Sequence, residues 1–280
     1  MSMKTKRFIR LTLSYLTIIA VSVIILYPVL WIIGSSLNPG NSLSGSSMIP
    51  DNATFSHYMD LFDTSKSDYF LWYWNTLKIC VLTSLLTVFL VSFMGYAFSR
   101  FRFIGRKYGL MTFLLLQMIP NFAALIAIYV LALVTGLLDT HLALILLYTG
   151  WQIPMNMYLA KGYFDTIPKE LDESARMDGA SHFRIFWQIV MPLAKPILSV
   201  IALFSFIAPF ADFIIAGVIL RSEDKYTLAV GLYNLIADQF GAKFTEFAAG
   251  AVLIAVPIGL LFLSLQRYLI SGLTAGGTKG

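Results

Sequence analysis

The sequence is poor in charge. Charged residues make up 12% of its 280 positions, against about 25% in a soluble domain. Cysteine occurs once, at Cys80 inside an apolar run, so an intrachain disulfide and a cysteine-based metal site are both excluded. Histidine is nearly as scarce. His57, His141 and His182 fall in three separate loops with no ligand spacing, so no metal site and no catalytic constellation for a membrane enzyme is expected. The chain has no GxxxxGK phosphate loop followed by Ser or Thr, so it hydrolyses nothing itself. It shows no evident internal repeat and one acidic residue at membrane depth, Asp212. An ion-coupled secondary transporter, the first alternative, usually shows two similar halves and buried ion-coordinating acids.

What is there is apolar. Hydrophobic residues make up 58% of the chain, and the mean hydropathy is +0.76. The apolar runs are about 20 residues long and do not alternate, which indicates an all-α membrane protein rather than a β-barrel. Residues 1–10 carry Lys4, Lys6, Arg7 and Arg10, and an apolar run over 11–33 follows. That run is too long for a signal-peptide core and has no cleavage site after it, so it reads as a retained first span. Residues 34–69 form an outer loop with one basic residue, Lys66. The cluster Phe70–Trp74 marks an outer interface. Five more spans follow in a core of residues 70–268: one to about Phe98, then Gly109–Val134, Leu142–Leu159, Ile197–Leu220 and Phe247–Leu265. Pro120 is expected inside a continuous third span, His141 in a solvated outer turn, and 221–246 as an outer loop of mixed charge. Residues 269–280 form a tail. Fifteen Lys and Arg fall in the inner segments so assigned and four in the outer ones. This asymmetry predicts six transmembrane helices with both termini cytosolic. The net charge of +5 therefore reports topology and is no nucleic-acid signal.

Three polar residues within the spans are candidates for a substrate pathway. Gln117 and Asn121 flank Pro120 and lie four apart, on one face. They either bond between helices or line a pathway. Asp212 sits roughly 12 Å from the outer end of its span. An acid at the bilayer centre costs about 2.5–3.5 kcal/mol, so Asp212 either lines a cavity or pairs with a polar neighbour.

The long polar stretch lies between the fourth and fifth spans, at 161–196, and the topology puts it in the cytosol. Pro168 suits a first helical position. Lys169–Met177 reads as a short helix with Glu170, Asp172 and Glu173 near the end where the dipole favours anions. Gly179 stops it by taking a left-handed conformation. Ser181 caps a second helix over roughly His182–Val190, and Pro192 and Pro196 break and restart the chain. Leu171, Phe183, Phe186 and Ile189 would suit an amphipathic pair lying on the membrane. The gathering of Glu173, Asp178 and Gly179 among the small residues Ser174, Ala175 and Ala180 suits a docking knob instead.

The spacing Glu173-Ser174-Ala175, three residues, Gly179, nine residues, Ile189, one residue, Met191-Pro192 resembles the EAA loop of ABC importer permeases. Ser174 and Met191 depart from the family's Ala and Leu. The tail from Gln266, together with Leu116–Pro120, Lys161–Phe164 and Tyr226–Gly231, is similar to carbohydrate importer permeases of the maltose/maltodextrin (MalG) type. The resemblance implies a type I importer permease fold in a bacterial cell membrane. It implies a homologous second permease, two cytosolic ATPase subunits that bind the ATP, and an extracytoplasmic sugar-binding protein, with no cofactor bound by this chain. On matched positions it implies that Glu173 pairs with a basic group on the ATPase. Ala175, Gly179 and Ala180 would form the close-packed knob, Asp178 would cap or orient the turn, and Ser174, Ile189 and Pro192 would complete the coupling loop. The cargo it implies is an oligosaccharide, foremost a maltodextrin.

Overall fold

A computed structural model describes residues 3–41, 48–118, 120–237 and 242–275. Thirteen helices follow in chain order among them. They are α1 (Met3–Leu37), α2 (Ser56–Phe62), α3 (Tyr69–Arg100), α4 (Arg106–Gln117), α5 (Leu125–Val134), α6 (His141–Phe164) and α7 (Lys169–Met177). The rest are α8 (His182–Ile185), α9 (Met191–Leu193), α10 (Lys195–Ala211), α11 (Ile214–Ile219), α12 (Leu228–Ala237) and α13 (Phe244–Ala275). The chain divides into two compact units, Met1–Phe70 with Leu232–Ala255 and Leu71–Gly231 with Val256–Gly280.

In the first unit, α1 exposes apolar side chains all round until its last turns, as a helix bathed in lipid does. Two of its hydroxyls bond back along the helix, Ser14 to the Arg10 carbonyl and Thr17 to that of Leu13, which satisfies them without water. Residues 34–69 are more than a loop, because α2 folds back onto the end of α1. His57 is buried there, its Nε2 2.8 Å from the Asn38 carbonyl oxygen. Tyr69 is buried too and donates to the Gly250 carbonyl at 2.9 Å.

The second unit is organised on α3. Trp72, Thr76, Ile79, Thr83, Thr87 and Val91 are buried along it at helical spacing. One apolar cluster gathers around Ile79, Leu144, Tyr148 and Ile219, and another around Val91, Phe164, Phe186 and Ile201. The aromatic segment 70–74 therefore divides its roles. Phe70 and Trp74 are exposed, whereas Trp72 is buried and donates its indole N–H to the Glu223 carbonyl at 3.0 Å. Residues 221–246 hold an apolar helix, α12, rather than only a loop of mixed charge. A Cβ on Gly231 would come within 2.1 Å of the Trp72 ring, so this close approach requires glycine.

The expected third and fifth spans are broken. Pro120 does not sit inside a continuous helix. α4 ends at Gln117, a 3-10 turn covers Asn121–Ala124, and α5 starts afresh. Proline lacks the N–H and clashes with the carbonyl four residues back, and both effects stop a helix here. α10 ends at Ala211, and Asp212 is extended before α11 begins. Three helices among the described residues are long and apolar enough to cross a bilayer as single rods: Thr5–Leu37, Tyr69–Arg100 and Phe244–Gln266. α6 has the length but carries Gln152, Pro154 and Asn156 from its middle onward.

Candidate functional site

Two places concentrate polar chemistry, both in the second unit. The first is the loop 161–196. Pro168 occupies the cap before α7, one position earlier than its expected place. α7 carries Glu170 and Asp172 in its first turn, where the helix dipole favours them. It ends in a Schellman motif. Gly179 has φ +82°, its N–H donates to the Arg176 carbonyl at 3.0 Å, and the Ala180 N–H donates to that of Ala175 at 2.9 Å. The Ser181 hydroxyl then accepts from the Arg184 N–H at 3.3 Å and starts α8. A π-helical stretch over Phe186–Val190 carries the chain into α9, and a bend of 78° turns it into α10. Pro192 and Pro196 flank that bend.

The result is a small protruding turn on an apolar footing. Glu173, Ser174, Asp178 and Gly179 are exposed, and Ala175 and Ala180 are half-buried. Ile185, Phe186 and Val190 are buried below. Nothing lies within 4 Å of where a Gly179 Cβ would sit, so the turn is open to an incoming surface. Glu173 has no ion-pair partner among the described residues. Asp178 closes the helix by position, while backbone bonds hold the turn. Ile189 is half-buried and Pro192 exposed. Leu171 and Phe183 are exposed, whereas Phe186 is sealed inside, so the apolar positions do not form one membrane-facing stripe.

Arg100 is the residue that sequence reasoning missed. Read as a topology marker, it has a side chain only 5% exposed, and its Nε lies 2.7 Å from the Asp172 Oδ2. This is an ion pair rather than an aligned hydrogen bond, because the Nε–H points off the line. Its Nη1 donates to the Phe164 carbonyl at 3.1 Å and its Nη2 to that of Ile167 at 3.0 Å.

The second place is a cavity of about 510 Å³ with a largely apolar wall, into which Gln117, Tyr148, Trp151, Gln152, Asn156 and Asp212 bring polar and aromatic groups. Asp212 stands at the break between α10 and α11. It lines the cavity, and its carboxylate accepts from the Tyr148 hydroxyl at 2.6 Å. It also accepts from the N–H groups of Ile215 at 3.3 Å and Ala216 at 3.1 Å, which starts α11. Gln117 faces the same space. Asn121 lies in the 3-10 turn, and its side chain is outside the described residues; of the expected tail 269–280, residues 269–275 continue α13 and 276–280 are outside the described residues. The amide nitrogen of Gln152 is buried without a partner among the described residues. Amides, a carboxylate and an aromatic face in one cavity suit a hydroxyl-rich ligand.

His141 is not a solvated residue. Half-buried at the start of α6, its Nε2 lies 2.8 Å from the Lys225 carbonyl oxygen. Beside it Asp139, at φ +59°, accepts from the Arg221 and Ser222 N–H groups at 2.9 and 3.1 Å. It also accepts from the Ser222 hydroxyl at 2.6 Å and the Lys225 ammonium at 2.8 Å. Partial burial raises the Asp139 pKa, but those donors outweigh it and hold the carboxyl well below its usual range.

Apolar rods, spans broken beside a cavity and a protruding charged turn are the features of a membrane protein with both a lipid-facing and a polar part. The chain belongs to the family of binding-protein-dependent transport system inner membrane components, which matches residues 87–274. It is 54% identical over 279 residues to the galactooligosaccharides transport system permease protein GanQ of Bacillus subtilis (strain 168), covering 99% of each chain. It is 46% identical to the maltodextrin transport system permease protein MdxG of the same organism, over the whole of both. It is 38% identical to the maltose/maltodextrin permease MalG of Salmonella typhimurium, covering 97% of each. A bacterial ABC transporter structure, described as importing the acidic polysaccharide alginate, contains a chain that superposes with TM-score 0.80. That chain is 25% identical, and 96% of this chain and 99% of that one are covered. The protein is thus a multi-pass transport permease of a bacterial inner membrane, driven by ATP through its system, and not an enzyme. An ion-coupled secondary transporter is ruled out by the same kinship.

Proposed function

We propose that this chain forms one half of the translocation pathway of an oligosaccharide importer and receives its drive at the turn 173–180. The observation that carries the reading is that turn: a left-handed glycine, a free carboxylate at Glu173 and small neighbours, exposed together on a buried apolar base. A second homologous permease completes the pathway. Two cytosolic ATPase subunits bind the ATP and dock on the turn, with Glu173 facing a basic group, and this chain binds no cofactor. An extracytoplasmic sugar-binding protein delivers the cargo. The chain crosses the membrane six times with both termini in the cytosol. Closure of the ATPases then rocks the helices as rigid bodies between inward- and outward-facing states. Gln117, Asn121 and Asp212 line the sugar's path. The maltodextrin permeases among the relatives support a maltodextrin cargo, and the galactooligosaccharide permease at 54% identity supports a second reading.

The test is Gly179→Trp in the assembled importer. A bulky ring at the turn blocks docking, and any side chain at φ +82° also carries strain of about 1–2 kcal/mol. Sugar uptake should fall at least about tenfold while the protein stays in the membrane. Gly179→Ala, which has the strain without the bulk, should lose much less. Normal uptake by the Trp variant would sink the docking assignment. Uptake of labelled maltodextrin in competition with galactooligosaccharide decides the cargo.

A further inference from the structure

We propose that Arg100 is a positioning residue that ties the loop 169–196 to α3, so that turn and helix move as one body. The inference rests on the docking reading above and goes beyond it. By chain connectivity, the loop pulls only on α6, before it, and α10, after it. α3 has no covalent link to it, yet α3 carries the packed stripe of the second unit. Without a tie, α3 would follow the loop only through apolar contacts, which can slide.

Arg100 is the last residue of α3, and its guanidinium reaches three successive pieces of chain. It meets the end of α6 at the Phe164 carbonyl, 3.1 Å away. It meets the link into α7 at the Ile167 carbonyl, 3.0 Å away. On α7 itself it meets Asp172 at 2.7 Å, and the two side chains are only 5% and 13% exposed. A planar fork with five N–H groups can hold several acceptors in fixed geometry, which an ammonium cannot. The neighbouring Ser99 adds a second bond, its hydroxyl donating to the Asp165 carboxylate at 2.7 Å. α8 and the π-helical stretch after it are held as well. The Phe101 ring meets His182 edge-on with centroids 5.0 Å apart, and Tyr96 packs on Phe186 at 5.1 Å. Both arms of the turn therefore bear on one end of α3. Asp172 and the exposed Glu173 are adjacent on α7, so one residue faces the tie while the next is left for a partner.

The experiment uses the complete importer in proteoliposomes and reads the ATP hydrolysed per sugar imported. Arg100→Lys keeps the charge and loses the fork. The ratio should rise by about threefold or more, with the half-saturating sugar concentration unchanged. A merely structural role would lower both activities together and leave the ratio alone. Arg100→Met strands the Asp172 carboxylate in a buried place and could prevent folding. The pair Arg100→Met with Asp172→Leu avoids that, and it too should raise the ratio. A wild-type ratio in either assembled variant overturns the proposal. An independent readout keeps Arg100: Ser99→Cys with Asp165→Cys, joined by a disulfide, should still transport, because the joined parts move together. Transport that stops on oxidation and returns on reduction overturns it. Failure of the docking reading would show differently, as normal uptake by Gly179→Trp.

Discussion

Gln152 shows how a single side chain can be kept at a cost. Its amide nitrogen is buried without a partner among the described residues, at the edge of the polar cavity. An unsatisfied buried donor costs about 1–3 kcal/mol. Gln152→Leu should therefore raise the stability of the solubilised protein, by roughly 1 kcal/mol in a thermal melt, while raising the half-saturating sugar concentration. A loss of stability with unchanged uptake would make the residue structural. Asp212 leads to a different expectation. Asp212→Asn keeps the size of the side chain and can still accept from Tyr148, so uptake should stay ATP-driven and insensitive to a protonophore. Sensitivity acquired or lost with that change would show a proton step. That Asp212 is the one acid in its apolar run was legible in the sequence. Its helix break, its Tyr148 partner and its share in a cavity with Trp151 and Gln152 were not, because those depend on how α6 meets α10.

The elements divide along the same line. Gly179, Ser181, Pro192 and Pro196 act through the backbone nearest them, and the structure places the turn, the cap and the bend close to where local rules put them. Pro120 obeys a local rule too, but its effect was underestimated: in place of a tolerated kink it ends α4. Arg100 could not be read this way. A basic residue at the end of a span satisfies the charge asymmetry whether solvated or buried, and Asp172 lies far along the chain. Trp72 and Gly231 are another such pair. Gly231→Ala should destabilise the protein by about 1–3 kcal/mol through overpacking, measured as a lower melting temperature, and shortening Trp72 to Leu in the same chain should recover part of it. Full stability in the single variant would refute the close approach. The Asp139 clamp between the α5–α6 turn and residues 221–225 predicts a pH dependence. Asp139 titrates below its ordinary range in the folded state. Its contribution is therefore fully present above the unfolded pKa of about 4 and is lost as pH falls through the lower folded value. Asp139→Asn should remove this acid-side loss from melts taken between neutral pH and about pH 3. An unchanged pH profile would count against the clamp.

For the whole molecule, the sequence marks an all-α membrane protein, because bilayer thickness dictates run length and charge asymmetry orients the loops; the permease class was legible only through the resemblance carried by residues 173–192. Only three of the expected spans are single apolar rods among the described residues. The others are broken or carry polar residues where they meet the cavity, where irregular backbone is tolerated away from lipid. The residues around the cavity come from different helices, whereas residues 173–180 form one local turn, which is why that turn was easier to read in the sequence than the cavity. The central claim is that a separate ATPase seats on residues 173–180. The most direct measurement is thiol cross-linking from Ser174→Cys to the ATPase subunit in inner-membrane vesicles, with Met59→Cys, exposed in the first unit, as the comparison. The account predicts a cross-link from position 174 that changes with ATP, and none from position 59. Equal labelling at both, or none at position 174, would contradict it.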